Sequence, residues 1–363
     1  VLIIKIKRGV GKGIQFVGFL ALFSCLSQVN FPVEIIGGQL VVSGQISTIA
    51  DQNIIELGTS ANSEKLPNPL SGASIKLIDN FGTVNFYTET SLGKYSLANI
   101  AGIVERTYYI EIQTPNGRLY KSLPEKMPGA STIDSVSYEI VNEGVVDFEG
   151  VASAKNFYKI YAHSTLASKN VYLKWSVNEA FLLSPTDFPD ILGNIPPPCF
   201  ILQNADPQRI VLADGTAFST NKIKGQLVAS REIDWTFLEK HYFTTYQSSI
   251  TKEAFEYWRK VNILSNQVGS IFDAPPAEIT GNISGVSNPA EKIVGFFQAS
   301  NQTLNRFYVL PQDLPFKLLI LTCAYQGDFN GNTLAGFDTK NYPVRCIDCL
   351  SVRNSSYKRP SWF

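Results

Sequence analysis

Histidine and methionine are almost missing from this chain, with two and one in 363 residues. His163 and His241 are therefore the only imidazoles available, and no His-Glu-x-x-His metalloprotease motif can be written. Each histidine is expected on a strand face or in a loop rather than in a catalytic triad. Hydrolytic signatures fail elsewhere too, because Gly281-Asn282-Ile283-Ser284-Gly285 puts its serine in the wrong place for a nucleophile elbow. A glycine-rich phosphate loop is also lacking, since Gly9-Val10-Gly11-Lys12-Gly13 lies in a leader expected to be removed. Charge is sparse, at 17% of residues, and balanced at 31 basic against 31 acidic. That balance excludes the basic footprint of a nucleic-acid-binding protein and a polybasic patch for anionic lipid. Beyond residue 25 no apolar run approaches the ~20 residues of a membrane helix.

Acid is absent from the first 25 residues, and what stands there is informative. Lys5, Lys7, Arg8 and Lys12 precede an apolar stretch from Ile14 to Phe23, which ends in Leu22-Phe23-Ser24-Cys25. A positive segment, a short apolar segment and a small residue at the cut are the parts of a secretory signal. A cysteine directly after Leu22-Phe23-Ser24 is the pattern of a bacterial lipoprotein signal. Residues 1–24 are then the cleaved signal and Cys25 is the lipidation site, with an ordinary cleaved signal as the alternative. Each buried acyl methylene contributes about 0.8 kcal/mol, so several chains anchor the protein permanently. Cleavage would leave 27 basic residues against 31 acidic, a mildly acidic chain. Leu26 is not an aspartate, so the simplest inner-membrane retention signal is missing. The expected location is the outer membrane, lipid-anchored on the cell-surface leaflet, with the periplasmic leaflet as the alternative.

Aromatic, β-branched and hydroxyl residues dominate the remainder, punctuated by 26 Gly and 19 Pro, a composition that favours strands. Residues 25–38 read as a lipidated tether. From 39 to 127 the pattern is a small β-sandwich, with strands at Leu40–Ile46, Ser71–Asp79, Gly93–Leu97, Tyr108–Ile112 and Leu119-Tyr120. Asn80-Phe81-Gly82 and Pro115-Asn116-Gly117 mark turns. The order of glycine, tyrosine and apolar positions resembles the transthyretin-like regulatory modules of carboxypeptidases. Leu123–Ser131, with Pro124, Pro128 and Gly129, reads as a linker.

Residues 132–363 read as a larger β-rich domain. Ser135–Val141 and Val145–Gly150 are expected strands, and Phe157–Tyr161 with Asn170–Val177 a further pair. Leu183–Pro198 reads as a loop. One helix is expected over about 251–268, with Thr251 as N-cap, Glu253 in the first turn and Gly269 as the stop. Ala254, Tyr257, Trp258, Val261, Leu264, Ser265 and Val268 make its packing stripe. The fold class is thus mainly β: an immunoglobulin- or transthyretin-like sandwich followed by a larger β-rich domain with one packed helix.

Particular phrases run through the second half. Ser248-Ser249-Ile250-Thr251-Lys252-Glu253-Ala254-Phe255-Glu256-Tyr257-Trp258 leads to Val268-Gly269-Ser270-Ile271-Phe272-Asp273. Pro275-Pro276-Ala277-Glu278-Ile279-Thr280-Gly281-Asn282-Ile283 and Asn288-Pro289-Ala290-Glu291-Lys292-Ile293-Val294-Gly295-Phe296-Phe297 follow. Cys346-Ile347-Asp348-Cys349 and Arg359-Pro360-Ser361-Trp362 close the chain. With the leader and the Val41-Val42-Ser43-Gly44-Gln45-Ile46 strand, this order resembles the Bacteroidota outer-membrane lipoproteins catalogued as domain of unknown function 4249. The resemblance covers essentially the whole chain after the leader. It implies an exported lipoprotein, often encoded beside TonB-dependent receptors, and brings no catalytic residues. Phe200 after Cys199 stands where the family pattern leads one to expect tryptophan.

Cys199, Cys323, Cys346 and Cys349 remain when Cys25 is set aside. An even number in an exported chain reads as a disulfide framework with three possible connectivities. The preferred expectation is that Cys346 and Cys349 each reach Cys199 or Cys323 and staple the tail to the second domain. A zinc site is the sharper alternative, since Cys346-x-x-Cys349 is half a knuckle, but its other half is missing. Asp328-Phe329-Asn330-Gly331-Asn332 imitates the start of a calcium loop. Thr333 and Thr339 stand where that loop needs glycine and glutamate, so a polar turn is the reading. No cofactor or metal is expected. Asp187, Asp190, Glu253 and Glu256 read as solvated carboxylates. Tyr108-Tyr109 and the cluster Tyr242-Phe243 with Tyr246 read as core, with an exposed binding face as the alternative. Trp362-Phe363 is expected to pack near Cys349.

These readings converge on a non-catalytic outer-membrane lipoprotein, an accessory subunit of a TonB-dependent receptor or other transporter that helps bind or present cargo. A stand-alone glycan- or peptide-binding surface lipoprotein is the alternative, and a hydrolase the third class.

Overall fold

The computed structural model describes residues 38–61, 67–147, 149–183, 197–266, 279–318 and 348–363. Residues 1–37 with Cys25, residues 184–196 with Asp187 and Asp190, Gly269, Cys323, Asp328–Asn332 and Cys346 lie outside the described residues.

The chain forms the strands β1 (Leu40–Ser47), β2 (Ile54–Thr59), β3 (Asn68–Pro69), β4 (Ser74–Asp79), β5 (Val84–Phe86), β6 (Thr88–Ser91) and β7 (Lys94–Ser96). Next come β8 (Thr107–Gln113), β9 (Leu119–Ser122), β10 (Glu125–Lys126), β11 (Thr132–Val146), β12 (Ala152–Thr165) and β13 (Tyr172–Leu183). The remainder are β14 (Cys199–Asn204), β15 (Val211–Asp214), β16 (Lys222–Glu232), β17 (His241–Ile250), β18 (Ile283–Gly285), β19 (Val294–Val309) and β20 (Ser355–Ser356). The helix α1 (Lys252–Ser265) follows β17. The protein is mainly β.

A long sheet in the order β20-β14-β13-β17-β19-β1-β2-β7-β6 is its spine. Two smaller sheets accompany it, β18-β9-β8-β4-β5 and β11-β12-β16. Strand alternation explains each layer. In β8 the buried Tyr108, Ile110 and Ile112 face Ile75 and Leu77 of β4 and meet Val42, Ile55 and Tyr95 of the spine in the first core. In β12 the buried Tyr158, Ile160 and Ala162 meet Leu173, Trp175 and Val177 of β13 in the second core. β17 is buried at every position, as a central strand covered on both faces must be.

β19 joins the two cores. It runs parallel to β1, Val41 opposite Val294 through Ser47 opposite Ser300, and antiparallel to β17. Phe297 and Ala299 enter the first core while Phe307 and Val309 enter the second. The entry to β19 demands glycine. Gly295 has φ +127°, and a Cβ there would lie 1.7 Å from the Val42 carbonyl oxygen. Residues 123–131 are tied in on both sides. Leu123 N–H donates to Asn282 O, Met127 is buried in the first core, and Ser131 O accepts from the buried Gln247 Nε2.

Several elements differ from the sequence reading. Ser135–Val141 and Val145–Gly150 are not two strands, because β11 runs unbroken through Gly144 to Val146. The reversal comes at Asp147, whose Oδ1 accepts the N–H groups of Glu149 and Val151, with Gly150 at φ +82°. Phe157–Tyr161 and Asn170–Val177 are strands but not partners: β12 pairs with β11 and β16, and β13 with β14, β15 and β17. Thr251 does cap α1, its hydroxyl accepting Ala254 N–H, but the helix ends at Ser265. Asn266 folds its side chain onto Asn262 O there. Phe255 is buried and Ser265 exposed, which shifts the packing face from the expected stripe.

Candidate functional site: a closed acid–base network beneath a cleft

Along β13 the inward positions read Leu173, Trp175, Val177, Glu179 and Phe181, so a carboxylate occupies an apolar place. Glu179 is 1% exposed. A buried carboxylate needs donors on both oxygens, and three elements supply them. Gln203 Nε2 of β14 donates to Oε1 at 2.7 Å. Arg231 Nε of β16 and His241 Nε2 of β17 reach Oε2 at 2.7 and 3.0 Å. Burial pushes the Glu179 carboxyl up, but the His241 hydrogen bond and the charges of His241 and Arg231 outweigh it. They hold it below the ordinary glutamate value.

His241 faces an acceptor on each side, Glu179 Oε2 and, 3.2 Å from Nδ1, the Thr236 carbonyl. These two contacts fix the orientation of the ring. That ring stacks on Phe237 at 4.1 Å and Phe181 at 5.2 Å between centroids. Arg231 also donates to Asp234 Oδ2 at 3.2 Å and to Thr236 Oγ1 at 3.1 Å. Asp234 caps the 3-10 turn Trp235–Leu238 by accepting from Thr236 N–H and Oγ1. Burial would raise its carboxyl, yet Arg231 and Thr236 hold it low. Burial would lower the Arg231 guanidinium, and Glu179 with Asp234 raise it instead. Glu179 and Asp234 thus face Arg231 and His241 inside the fold.

Above this network opens a cleft of about 620 Å³, lined among others by Phe157, Gln203, Asn204, Asp206, Arg231 and Arg353. Arg353 comes from the C-terminal segment, which is stapled in place. Cys199 Sγ is bonded to Cys349 Sγ with Cα atoms 5.8 Å apart, and both residues are buried with Phe181, Leu183 and Ile201. β20 then pairs with β14, Phe200 packs edge-on against Phe363 at 5.0 Å, and Trp362 packs on Tyr242.

Of the sequence candidates, the structure brings together Cys199 with Cys349 and places His241 in the network. His163 lies apart on β12, its Nε2 2.8 Å from Ser137 Oγ and its Nδ1 accepting Gly225 N–H. Tyr108, Tyr242, Phe243 and Tyr246 are buried. Glu256 is paired with Arg259 along α1. Among the described residues no group of three or more His, Cys, Asp or Glu could hold a metal ion. Sequence reasoning missed Glu179, Arg231 and Asp234. The legible signal was Glu179, an acid on the apolar face of the alternating strand β13.

The fold and this site define a disulfide-stapled, mainly β protein whose principal charged cluster is internally paired beneath an open cleft. Residues 27–306 match the family described as Domain of unknown function (DUF4249), and the chain belongs to that family. No curated protein and no solved structure matches it.

Proposed function

We propose that this protein is a non-catalytic lipoprotein, anchored through Cys25 on the surface of the outer membrane, where it serves as an accessory subunit of a TonB-dependent receptor or similar transporter. The observation that supports the non-catalytic reading is the closure of the Glu179–Arg231–His241–Asp234 network. Both Glu179 oxygens and both His241 nitrogens have hydrogen-bonding neighbours, so the Glu179 carboxylate, although it lines the cleft, is engaged with Gln203, Arg231 and His241. The anchor rests on the basic leader and Leu22-Phe23-Ser24-Cys25. A second reading, a stand-alone glycan- or peptide-binding lipoprotein, is favoured by the cleft itself. Its volume of about 620 Å³ and mixed polar lining lie in the range of ligand sites, about 300–1,000 Å³.

The deciding experiment purifies the tagged, lipidated protein from its own outer membrane in mild detergent and identifies the co-purifying chains by mass spectrometry. A barrel receptor in near-equal amount is the expected result. A lone protein, even after cross-linking, would overturn the accessory reading in favour of the second. Metabolic labelling with an alkynyl fatty acid checks the anchor, and the label should vanish in Cys25→Ala.

A further inference from the structure

On the helix-bearing face of the long sheet, Lys174 of β13 sets its Nζ 3.3 Å from the ring centroid of Trp258 on α1. No carboxylate pairs with this half-buried amine among the described residues, and it lies over the indole instead. It faces a pocket of about 190 Å³ that includes Ser43, Gln45, Gln52, Glu56 and Gln298 in its lining.

The hydrogen bonds around the pocket run in one direction. Trp258 Nε1 donates to Gln298 Oε1 at 2.7 Å, Gln298 Nε2 to Gln45 Oε1 at 3.1 Å, and Gln45 Nε2 to Gln52 O at 2.8 Å. Ser300 Oγ also donates to Gln45 Oε1. Gln45 Oε1 thus accepts two bonds and Gln298 Oε1 one. Each amide nitrogen carries two hydrogens and spends one, so donors are left over. The Lys174 amine, with no carboxylate partner among the described residues, and the spare amide N–H groups make the pocket rich in donors. Neutral hydroxyls need acceptors as well as donors, whereas a carboxylate needs donors alone. Glu56, the acid at the rim, is turned to water and paired with Lys94 at 3.7 Å. The pocket is smaller than an ordinary ligand site, so it suits an end group rather than a whole ligand.

We propose that the Lys174–Trp258 pocket is a binding site for the carboxylate of a ligand, supplied by an acidic sugar or by a peptide C-terminus. This site is separate from the Glu179 network and does not depend on the membrane anchor. Burial lowers the Lys174 amine to about 7, and a bound carboxylate would restore its charge. Glu56 and Lys94 are the charged groups at the rim.

The test titrates the full chain in mild detergent with D-glucuronate and with N-acetylglycine, followed by calorimetry, with glucose and N-acetylglycinamide as neutral counterparts. Saturable binding of either acid, absent for its neutral counterpart and weakened at least about tenfold in Lys174→Met, is expected. The acid that binds tells sugar from peptide. Equal behaviour of acids and neutral counterparts, or unchanged binding in Lys174→Met, would overturn the proposal. Should Lys174→Met fail to fold, wild-type titrations at pH 8 in two buffers of different ionisation heat replace it. Proton uptake on binding is expected, and its absence would sink the assignment.

Discussion

Thr251 and Glu125 stand 126 residues apart, and the Thr251 hydroxyl donates to Glu125 Oε2 at 2.6 Å. The same oxygen accepts Ala254 N–H and starts α1. One hydroxyl therefore caps the helix and fastens it to the segment that leaves the first sandwich. Thr251→Val keeps the shape but removes both bonds. It should cost about 2–3 kcal/mol, the sum of a lost cap and an orphaned buried acceptor, read from urea denaturation. A loss below about 0.5 kcal/mol would show that the hydroxyl holds nothing.

Burial raises the Glu125 carboxyl to about 7, only partly offset by its bonds from Thr251 and Asn282. Between the glutamate value of 4.5 and about 7 the folded chain binds more protons at this site than the unfolded chain. Stability from this group is therefore full below 4.5 and lost as pH rises through about 7, by about 3 kcal/mol. The stability of wild type minus that of Glu125→Gln should fall across this window. A flat difference would contradict the shift.

Glu179 carries the opposite sign, because its folded value lies below 4.5. Its stabilisation is present above that pH and disappears as pH falls. Glu179→Gln leaves Arg231 and His241 without their shared anion, and should cost about 3–5 kcal/mol at pH 7. A fully folded Glu179→Gln with an unchanged denaturation midpoint would mean that the network contributes nothing.

The Cys199–Cys349 bond spans 150 residues of chain. Cys199→Ser with Cys349→Ser should lower stability by about 2–4 kcal/mol and make residues 348–363 sensitive to limited proteolysis. A non-reducing peptide map of the wild type should contain the Cys199–Cys349 pair. A map pairing Cys199 with another cysteine would refute the bond.

At Gly295 a methyl group would meet the Val42 carbonyl at 1.7 Å, with φ already at +127°. Gly295→Ala should force β19 away from β1 and cost more than about 3 kcal/mol, seen as loss of soluble protein or a lowered midpoint. Normal stability would show that the two strands can part without penalty.

Much of the local structure was legible from side-chain period alone. β1, β4, β7, β8 and β9 fell where alternation and turn residues placed them, because a half-buried strand must alternate. Short edge strands such as β5 and β6 were missed, since three or four residues carry too little pattern. β11 is one strand where two were expected, because the chain runs on through Asn142-Glu143-Gly144 and turns only at Asp147. In the candidate site His241 was visible as a rare residue. Arg231 and Asp234 were not, because nothing local marks a surface-type charge that a distant strand will bury.

By itself, the sequence determined that this is a mainly β chain with a basic N-terminal segment, a capped helix and an even set of cysteines after Cys25. Those features follow from local chemistry: period, capping, turn residues and composition. Tertiary structure alone decided that β1 lies parallel to β19, that Cys199 meets Cys349, and that Glu179, Arg231 and His241 share one buried site. Each of these joins residues dozens to hundreds of positions apart. Which partners meet is settled by how whole sheets bury their apolar faces, and no short window of sequence contains that information.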